Sequence, residues 1–364
     1  MPNLSQLLTM CIPVLMLPAC SIATSMGRST VAYVANADSQ SISVLKLNAE
    51  SGRFETEQTV VVGGAVMPMA IAPDQRFLYA SLRSTPYSVM TLAIDGQTGH
   101  LKPLESAALP DSMANLAVDR SGRWLLGASY GGHLMSVSPI KADGTVSIAA
   151  SVISTGKNAH AAVVDVSNRH VFVTNLGNDQ IMQFKFDSNT GRVSPNAEPL
   201  MQTRPGSGPR HLIFHPDGRH AYLSNELDGS VDLLSYDGQN GRLSPLKSWS
   251  ILPDGFIGQP WAADLHLTPD GRFLYTSERH SSTIGMWSID MNSGELSQLG
   301  YEPTEKQPRG FQIDPTGRWL LVVGQLSNAL SVYKIDDQTG RLMLQSQVKV
   351  GGNPNWVEII QLQR

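Results

Sequence analysis

A pair of hydrophobic segments recurs seven times along the chain, and that recurrence restricts the possible folds more than any other feature. Its clearest copy, WAADLHLTPDGRFLYTSERHSSTIGMWSIDMNSGEL, runs from Trp261 to Leu296. It holds a short apolar run, a tight polar turn, a second run ending in small polar residues, a loop, an alternating run and a glycine-containing hairpin turn. That order belongs to antiparallel sheet, where period-two alternation buries one face and Gly, Asp and Asn supply the turns. Six PDGR-like turns carry arginine at the same point, at Arg76, Arg123, Arg169, Arg219, Arg272 and Arg318, spaced by 47, 46, 50, 53 and 46 residues. A period of this length with about four short strands per unit predicts an all-β, seven-bladed β-propeller with four antiparallel strands per blade.

The ends of the repeat support a closed ring. The first unit begins at VAYVAN, Val31 to Asn36, and lacks an innermost strand; the chain finishes with PNWVEII, Pro354 to Ile360, an innermost strand without a blade. The C-terminal strand is therefore expected to join the N-terminal blade, leaving no open sheet edge in the ring. A sandwich or two stacked β domains would account for the strands, but not for seven regular copies or the missing first piece.

Residues 31–364 are read as one propeller domain, because no change of composition interrupts the period. A formal charge of −4, from 27 basic and 31 acidic residues, gives no broad basic footprint for nucleic acid. Both cysteines, Cys11 and Cys20, precede the repeat, which excludes disulfide, zinc-thiolate and cysteine-nucleophile chemistry from the propeller. Residues 1–30 stand outside the fold. Their apolar stretch, Leu7 to Cys20, is too short for a comfortable bilayer span but fits a secretory segment, and no transmembrane span is expected. LPAC followed by Ser21 resembles the lipid-attachment site of bacterial lipoproteins, which would put an anchor at Cys20; the absence of Lys or Arg before it and the presence of Pro18 oppose that reading. Two compartments stay open: the cytoplasm if the leader is inert, the periplasm if it directs export.

Antiparallel pairing sorts strand ends onto two rims. The PDGR turns and the DGQNG-type hairpins share one rim and are repetitive, and their arginines are read as turn stabilisers. Residues before each first strand and after each second strand share the other, where the copies differ. There stand His160, Arg210, His211, Trp261, Asp264 and Arg309 at strand starts, and Asn175, Asn225, Glu226, Glu278, Arg279 and Gln325 at strand ends. Function is expected at this mouth of the central channel. A histidine there has the ordinary pKa for proton transfer at neutral pH. The guanidinium fork of Arg210 matches phosphate or carboxylate, and Glu226 is either an acid–base group or the partner of Arg210. Arg279 and Arg309 are candidates for substrate binding or rim ion pairs. His211 could face away by alternation, and Asp264 could orient a neighbouring His or Arg. No cofactor or metal motif is present. The GQNGR and GQTGR segments lack the strand–turn–helix context of a nucleotide site, His215 and His220 flank the opposite turn from His211, and no G-x-S-x-G elbow occurs.

The segments GPRHLIFHPDGRHAYLSNELDGSVDL, WAADLHLTPDGRFLYTSER and KQPRGFQIDPTGRWLLVVGQ closely resemble the cycloisomerase-2-like lactonase family, over roughly Val31 to Glu358. The resemblance implies a seven-bladed propeller and either hydrolysis of the δ-lactone of 6-phosphogluconate or carboxymuconate-type lactone chemistry. It also implies site roles for His160, Arg210 and Glu226, with Arg279 or Arg309 as a second arginine. The expected activity is cofactor-free and metal-independent opening of a small anionic sugar δ-lactone, with His160 and Glu226 catalytic and Arg210, Arg279, Arg309, His211 and Asp264 binding substrate. The alternatives are a cycloisomerase, a lactonase for an unphosphorylated aldonolactone and a non-enzymatic protein-interaction propeller. A calcium- or quinone-dependent sugar dehydrogenase would need a clustered carboxylate loop, which the sequence lacks. A monomer or weak homo-oligomer is expected.

Overall fold

The structure, a computed structural model, describes residues 29–48 and 51–362. The leader questions, including the Cys20 anchor, lie outside the described residues. Seven four-stranded antiparallel sheets make up the described residues, with one short 3₁₀ turn at Leu176–Asn178. In each of six blades the strands follow sequence order from the channel outward: residues 66–108, 113–154, 159–202, 209–250, 262–303 and 308–349 form blades 2 to 7. Inner strands of successive blades pack against one another around the ring.

Blade 1 combines the chain's two ends. Ser29–Asn36, Ser41–Asn48 and Arg53–Val61 form its outer three strands, and Pro354–Leu362 pairs on the channel side, with Tyr33 opposite Glu358. The closure expected from the sequence is therefore present, and the first strand starts at Ser29, slightly ahead of the expected edge.

Local chemistry explains the repeated turns. In the outer hairpins Asp95, Asp237, Asp290 and Asp336 each accept two following backbone N–H groups, so one carboxylate fixes each bend. At the PDGR-type turns, buried Asp119, Asp165 and Asp314 take the N–H groups of the arginine and the residue after it. The turn arginines serve structure, as expected: Arg272 pairs with Asp270 in its own turn, while Arg169 reaches the Gly238 carbonyl of the next blade.

The tyrosines of the second strands do more than pack. Tyr33, Tyr79, Tyr222 and Tyr275 are fully buried, and each hydroxyl donates to a glycine carbonyl in the next blade's outer hairpin: Gly99 (2.8 Å), Gly144 (3.0 Å), Gly294 (2.7 Å) and Gly340 (2.8 Å). Gly294 holds φ at +73°, a conformation that disfavours a side chain, and a Cβ there would lie 3.0 Å from the His220 ring. These bonds latch one blade to the next across otherwise apolar faces.

Candidate active site

Two structural rings place the functional side chains. The first comes from a bulge near the rim of every inner strand, where its pairing with the second strand gains one extra residue. That residue is Ala114, His160, Arg210, Arg309 and Asn355 in blades 3, 4, 5, 7 and 1; the extra residue falls within Met67–Pro68 and Ala263–Asp264 in blades 2 and 6. A bulge re-aims side chains and breaks strict alternation. Consequently Arg210 and His211 both turn inward, and the outward orientation that alternation allowed His211 does not occur. Gly310 completes the arrangement beside Arg309. A Cβ there would lie 2.6 Å from the Asn355 carbonyl oxygen, so only glycine permits this approach of neighbouring inner strands.

The second ring consists of the residue after each second strand. Its N–H donates to the carbonyl just ahead of the inner strand, as in Arg83 to Ala65 (2.8 Å), Glu226 to Gly208 (2.8 Å), Arg279 to Trp261 (3.2 Å) and Gln325 to Gln307 (3.1 Å). Tyr130 stands at the same position after the second strand of blade 3.

The two rings meet at Glu226. Its Oε2 accepts from Arg210 Nε at 2.8 Å and Arg279 Nη2 at 2.8 Å, while Oε1 makes no hydrogen bond among the described residues. The three side chains are 14%, 1% and 6% exposed respectively, so these are desolvated charge-assisted bonds. Burial works to raise the Glu226 pKa, but Arg210 and then Arg279 outweigh it and hold the carboxyl below its ordinary value. Arg279 also lies 4.0 Å from the centre of the Trp261 ring and donates to the Trp261 and Ala262 carbonyls. Arg210 donates from Nη1 to the Ala263 carbonyl and leaves Nη2 buried without a partner among the described residues.

His211 and Asp264 stand behind Arg210. His211 Nε2 lies 3.2 Å from Arg210 Nη1, and Nδ1 lies 2.7 Å from Asp264 Oδ1. Because the guanidinium can only donate, Nε2 must accept and Nδ1–H must donate to the carboxylate. Burial, then the charge of Arg210, pushes His211 down to about 4. Asp264 also binds His266 (3.3 Å) and the backbone N–H groups of Leu265 (3.0 Å) and Phe311 (3.5 Å). Burial opposes its ionisation, but His266 and His211 hold it well below the carboxylate range. Its oxygens thus serve to orient His211, and the geometry favours that role over substrate binding.

His160 is 5% exposed, with its ring 5.0 Å from His211 and 6.1 Å from Tyr130. Its Nδ1 is buried without a hydrogen bond among the described residues. Burial, followed by the charges of Arg210, His211, Arg309 and Arg279, holds its pKa well below the ordinary value, so the ring is neutral at pH 7. Arg309 is buried in the channel wall, with a long 3.5 Å contact from Nη1 to the Asn355 carbonyl and no carboxylate within 4 Å among the described residues. Other rim residues singled out from sequence are structural. Asn175 and Asn225 are tied to Val173 and Ser230, and Glu278 takes the N–H groups of Trp261 and Ser281.

The sequence reading missed the lower channel. A cavity of about 150 Å³ there is lined on one side by Asp264, His266, Gln312, Trp356 and Glu358, and on the other by Ala161, Val163 and Ile213. Trp356 Nε1 donates to Glu358 Oε1 at 2.9 Å, and burial pushes Glu358 up to about 7. His266, Gln312 and Glu358 occupy the same position of three inner strands, so aligning the seven copies in register would have exposed them. No group of three or more His, Cys, Asp and Glu suited to a metal occurs among the described residues.

Comparison with known proteins agrees with this architecture. A family profile described as "Lactonase, 7-bladed beta-propeller" matches residues 28–359. The chain is 41% identical to the 6-phosphogluconolactonase of Pectobacterium carotovorum subsp. carotovorum over 332 residues, covering 91% of this chain and 99% of that protein. Identity to the 6-phosphogluconolactonase of Serratia proteamaculans is 39% over 330 residues, with 91% and 98% coverage. Among solved structures, the periplasmic gluconolactonase of Pseudomonas aeruginosa superposes with a TM-score of 0.86 at 28% identity, over 92% of this chain and all (100%) of that one. From its repeat, ring closure and these matches, the chain belongs to the seven-bladed β-propeller lactonase family.

Proposed function

We propose that the protein hydrolyses 6-phosphogluconolactone to 6-phosphogluconate at the channel mouth. The observation that carries this reading is the state of Glu226: ionised, with Oε2 clamped by two buried arginines and Oε1 left without a partner among the described residues. The relatives named 6-phosphogluconolactonase supply the substrate class.

The chemistry follows from the groups present. Glu226 Oε1 takes a proton from water as its oxygen attacks the lactone carbonyl. Charge developing on the carbonyl oxygen is offset by the nearby guanidinium charges of Arg210 and Arg279. The C–O bond of the ring then breaks, and the leaving oxygen needs a proton. Attacking and leaving oxygens share one carbon, so the carboxyl that accepted the proton can return it. His160 suits this scheme as a neutral hydrogen-bonding group, because the surrounding cations oppose a second proton on its ring. His211 and Asp264 act behind Arg210 by fixing its plane. A carboxylate with a depressed pKa is a weak base, but a δ-lactone is reactive enough to need only modest assistance.

An unphosphorylated aldonolactone is the second reading, favoured by the likeness to the periplasmic gluconolactonase together with the apolar Leu7–Cys20 stretch. In that case residues 1–30 would serve as a leader for an exported, lipid-anchored enzyme; otherwise the protein works in the cytoplasm. Initial rates on fresh 6-phosphogluconolactone and glucono-δ-lactone, with spontaneous hydrolysis subtracted, test both. A clear preference for the phosphorylated lactone is expected. Equal rates favour the second reading, and no acceleration of either overturns hydrolysis.

A further inference from the structure

Arg83 occupies in blade 2 the slot that Glu226 and Arg279 fill in blades 5 and 6. All three follow a second strand and donate their backbone N–H to the carbonyl ahead of their own inner strand. In a ring of seven, blade 2 stands across the mouth from the junction of blades 5 and 6. Arg83 therefore faces the reactive pair from the opposite side.

Its surroundings suit an anion. Arg83 Nε donates to Ser112 Oγ at 2.7 Å, which fixes the guanidinium plane and leaves both terminal nitrogens without a hydrogen-bond partner among the described residues. No carboxylate lies within 4 Å of it there, whereas Arg210 and Arg279 share Glu226, and Arg204 pairs with Asp228 and Asp232. Arg83 lines an open pocket of about 550 Å³ together with Tyr87, Ser112 and Tyr130. Tyr130 joins this pocket to the reactive side, since its ring also lies 6.1 Å from His160. Two carboxylates share the pocket: Asp38 Oδ1 accepts from Asn353 Nδ2 at 3.1 Å, and Asp111 Oδ1 accepts the Ser112 N–H at 2.6 Å. One cation among acceptors of this kind fits a polyhydroxylated body with a single anionic end better than a bare anion.

We propose that Arg83 is the receptor for the phosphate of the substrate, holding the phosphorylated end across the mouth while the lactone carbonyl lies at Glu226, Arg210 and Arg279. A guanidinium with both terminal nitrogens free matches phosphate oxygens two at a time. This proposal rests on the phospholactonase reading, with Arg83 as its specificity-determining residue; Glu226, Arg210 and Arg279 contact the reacting atoms.

The experiment compares the unaltered protein with Arg83→Gln and Arg83→Lys on both lactones. Loss of one charge-assisted contact predicts about a 10–100-fold fall in kcat/KM of Arg83→Gln on the phosphorylated lactone, chiefly through KM. Little change is expected on glucono-δ-lactone, and Arg83→Lys should recover part of the loss. An equal fall on both lactones, or none on the phosphorylated one, overturns the proposal. Calorimetric binding of 6-phosphogluconate against gluconate separates it from the function itself. If the unaltered protein hydrolyses neither lactone, the hydrolase reading fails, yet a phosphate-dependent affinity abolished by Arg83→Gln still supports the Arg83 site. Identical affinity for the two acids in the unaltered protein overturns it.

Discussion

Replacing Glu226 by glutamine separates what the carboxylate does for the fold from what it does for the reaction. Glutamine preserves shape and one acceptor but removes the charge that two guanidinium groups share at 2.8 Å each. Arg210, with a side chain 1% exposed, cannot turn to water, and its remaining bonds run to the Ala263 carbonyl and the His211 ring. Removing one member of a buried ion pair typically costs about 3–5 kcal/mol, because the remaining charge stays desolvated. The acceptor that glutamine keeps puts the expected loss near the lower end, about 3 kcal/mol. Urea unfolding at pH 7 should show a lower midpoint at unchanged slope. A second substitution, Arg279→Gln, should cost less in the Glu226→Gln background than in the unaltered protein, since one cation then has no partner to lose. In the folded variant, kcat should fall about 100-fold, as expected for loss of a positioned base. An unchanged urea midpoint would refute the electrostatic account of the clamp. Full kcat in a normally folded variant would remove Glu226 from the chemistry.

Two further outcomes follow from other parts of the molecule. Tyr222→Phe removes the hydroxyl that donates to Gly294 O at 2.7 Å and leaves that carbonyl unpaired between blades, so urea unfolding should show a loss of about 1–2 kcal/mol with little change in kcat. Glu358 gives a pH test: burial pushes it up to about 7, so the folded protein binds this proton more tightly than the unfolded chain, and Glu358 costs stability as pH rises from its ordinary value of 4.5 through about 7. Glu358→Gln should therefore raise the urea midpoint at pH 8 relative to the unaltered protein, with a smaller difference at pH 4.5; equal differences at both would refute the burial argument.

The legible parts of this molecule were those that local chemistry encodes. Turn aspartates, alternating strands and the displaced PNWVEII segment announce themselves within a few residues, and antiparallel pairing alone sends His160, Arg210, Glu226 and Arg279 to one rim. The inner-strand bulges leave no local signal. They arise where strands crowd around the channel, and they decide that His211 faces inward beside Arg210. Partners far apart in sequence were equally invisible: Tyr33 and Gly99 are 66 residues apart, and nothing near either marks the bond. Arg83 was not among the residues singled out from sequence, although alignment of ASLRS with LSNEL and TSERH shows that all three fill one slot. Glu358 lies in the middle of the closing innermost strand, away from the strand ends that antiparallel pairing sorts onto a rim.

The pairing of Ser29 with Leu362 also settles how the protein presents its site when something is attached to it. The strand from Ser29 runs toward the working rim and reaches it at Asn36, so its start, and the end of its partner, lie on the far face. A fusion partner or solid support joined directly at Ser29 or Leu362 departs from the side away from substrate entry. A protein attached through Ser29 should therefore keep the mouth turned to the solution, and the same holds for attachment through Leu362. Either of these strand ends can carry a tether without standing in the substrate's path.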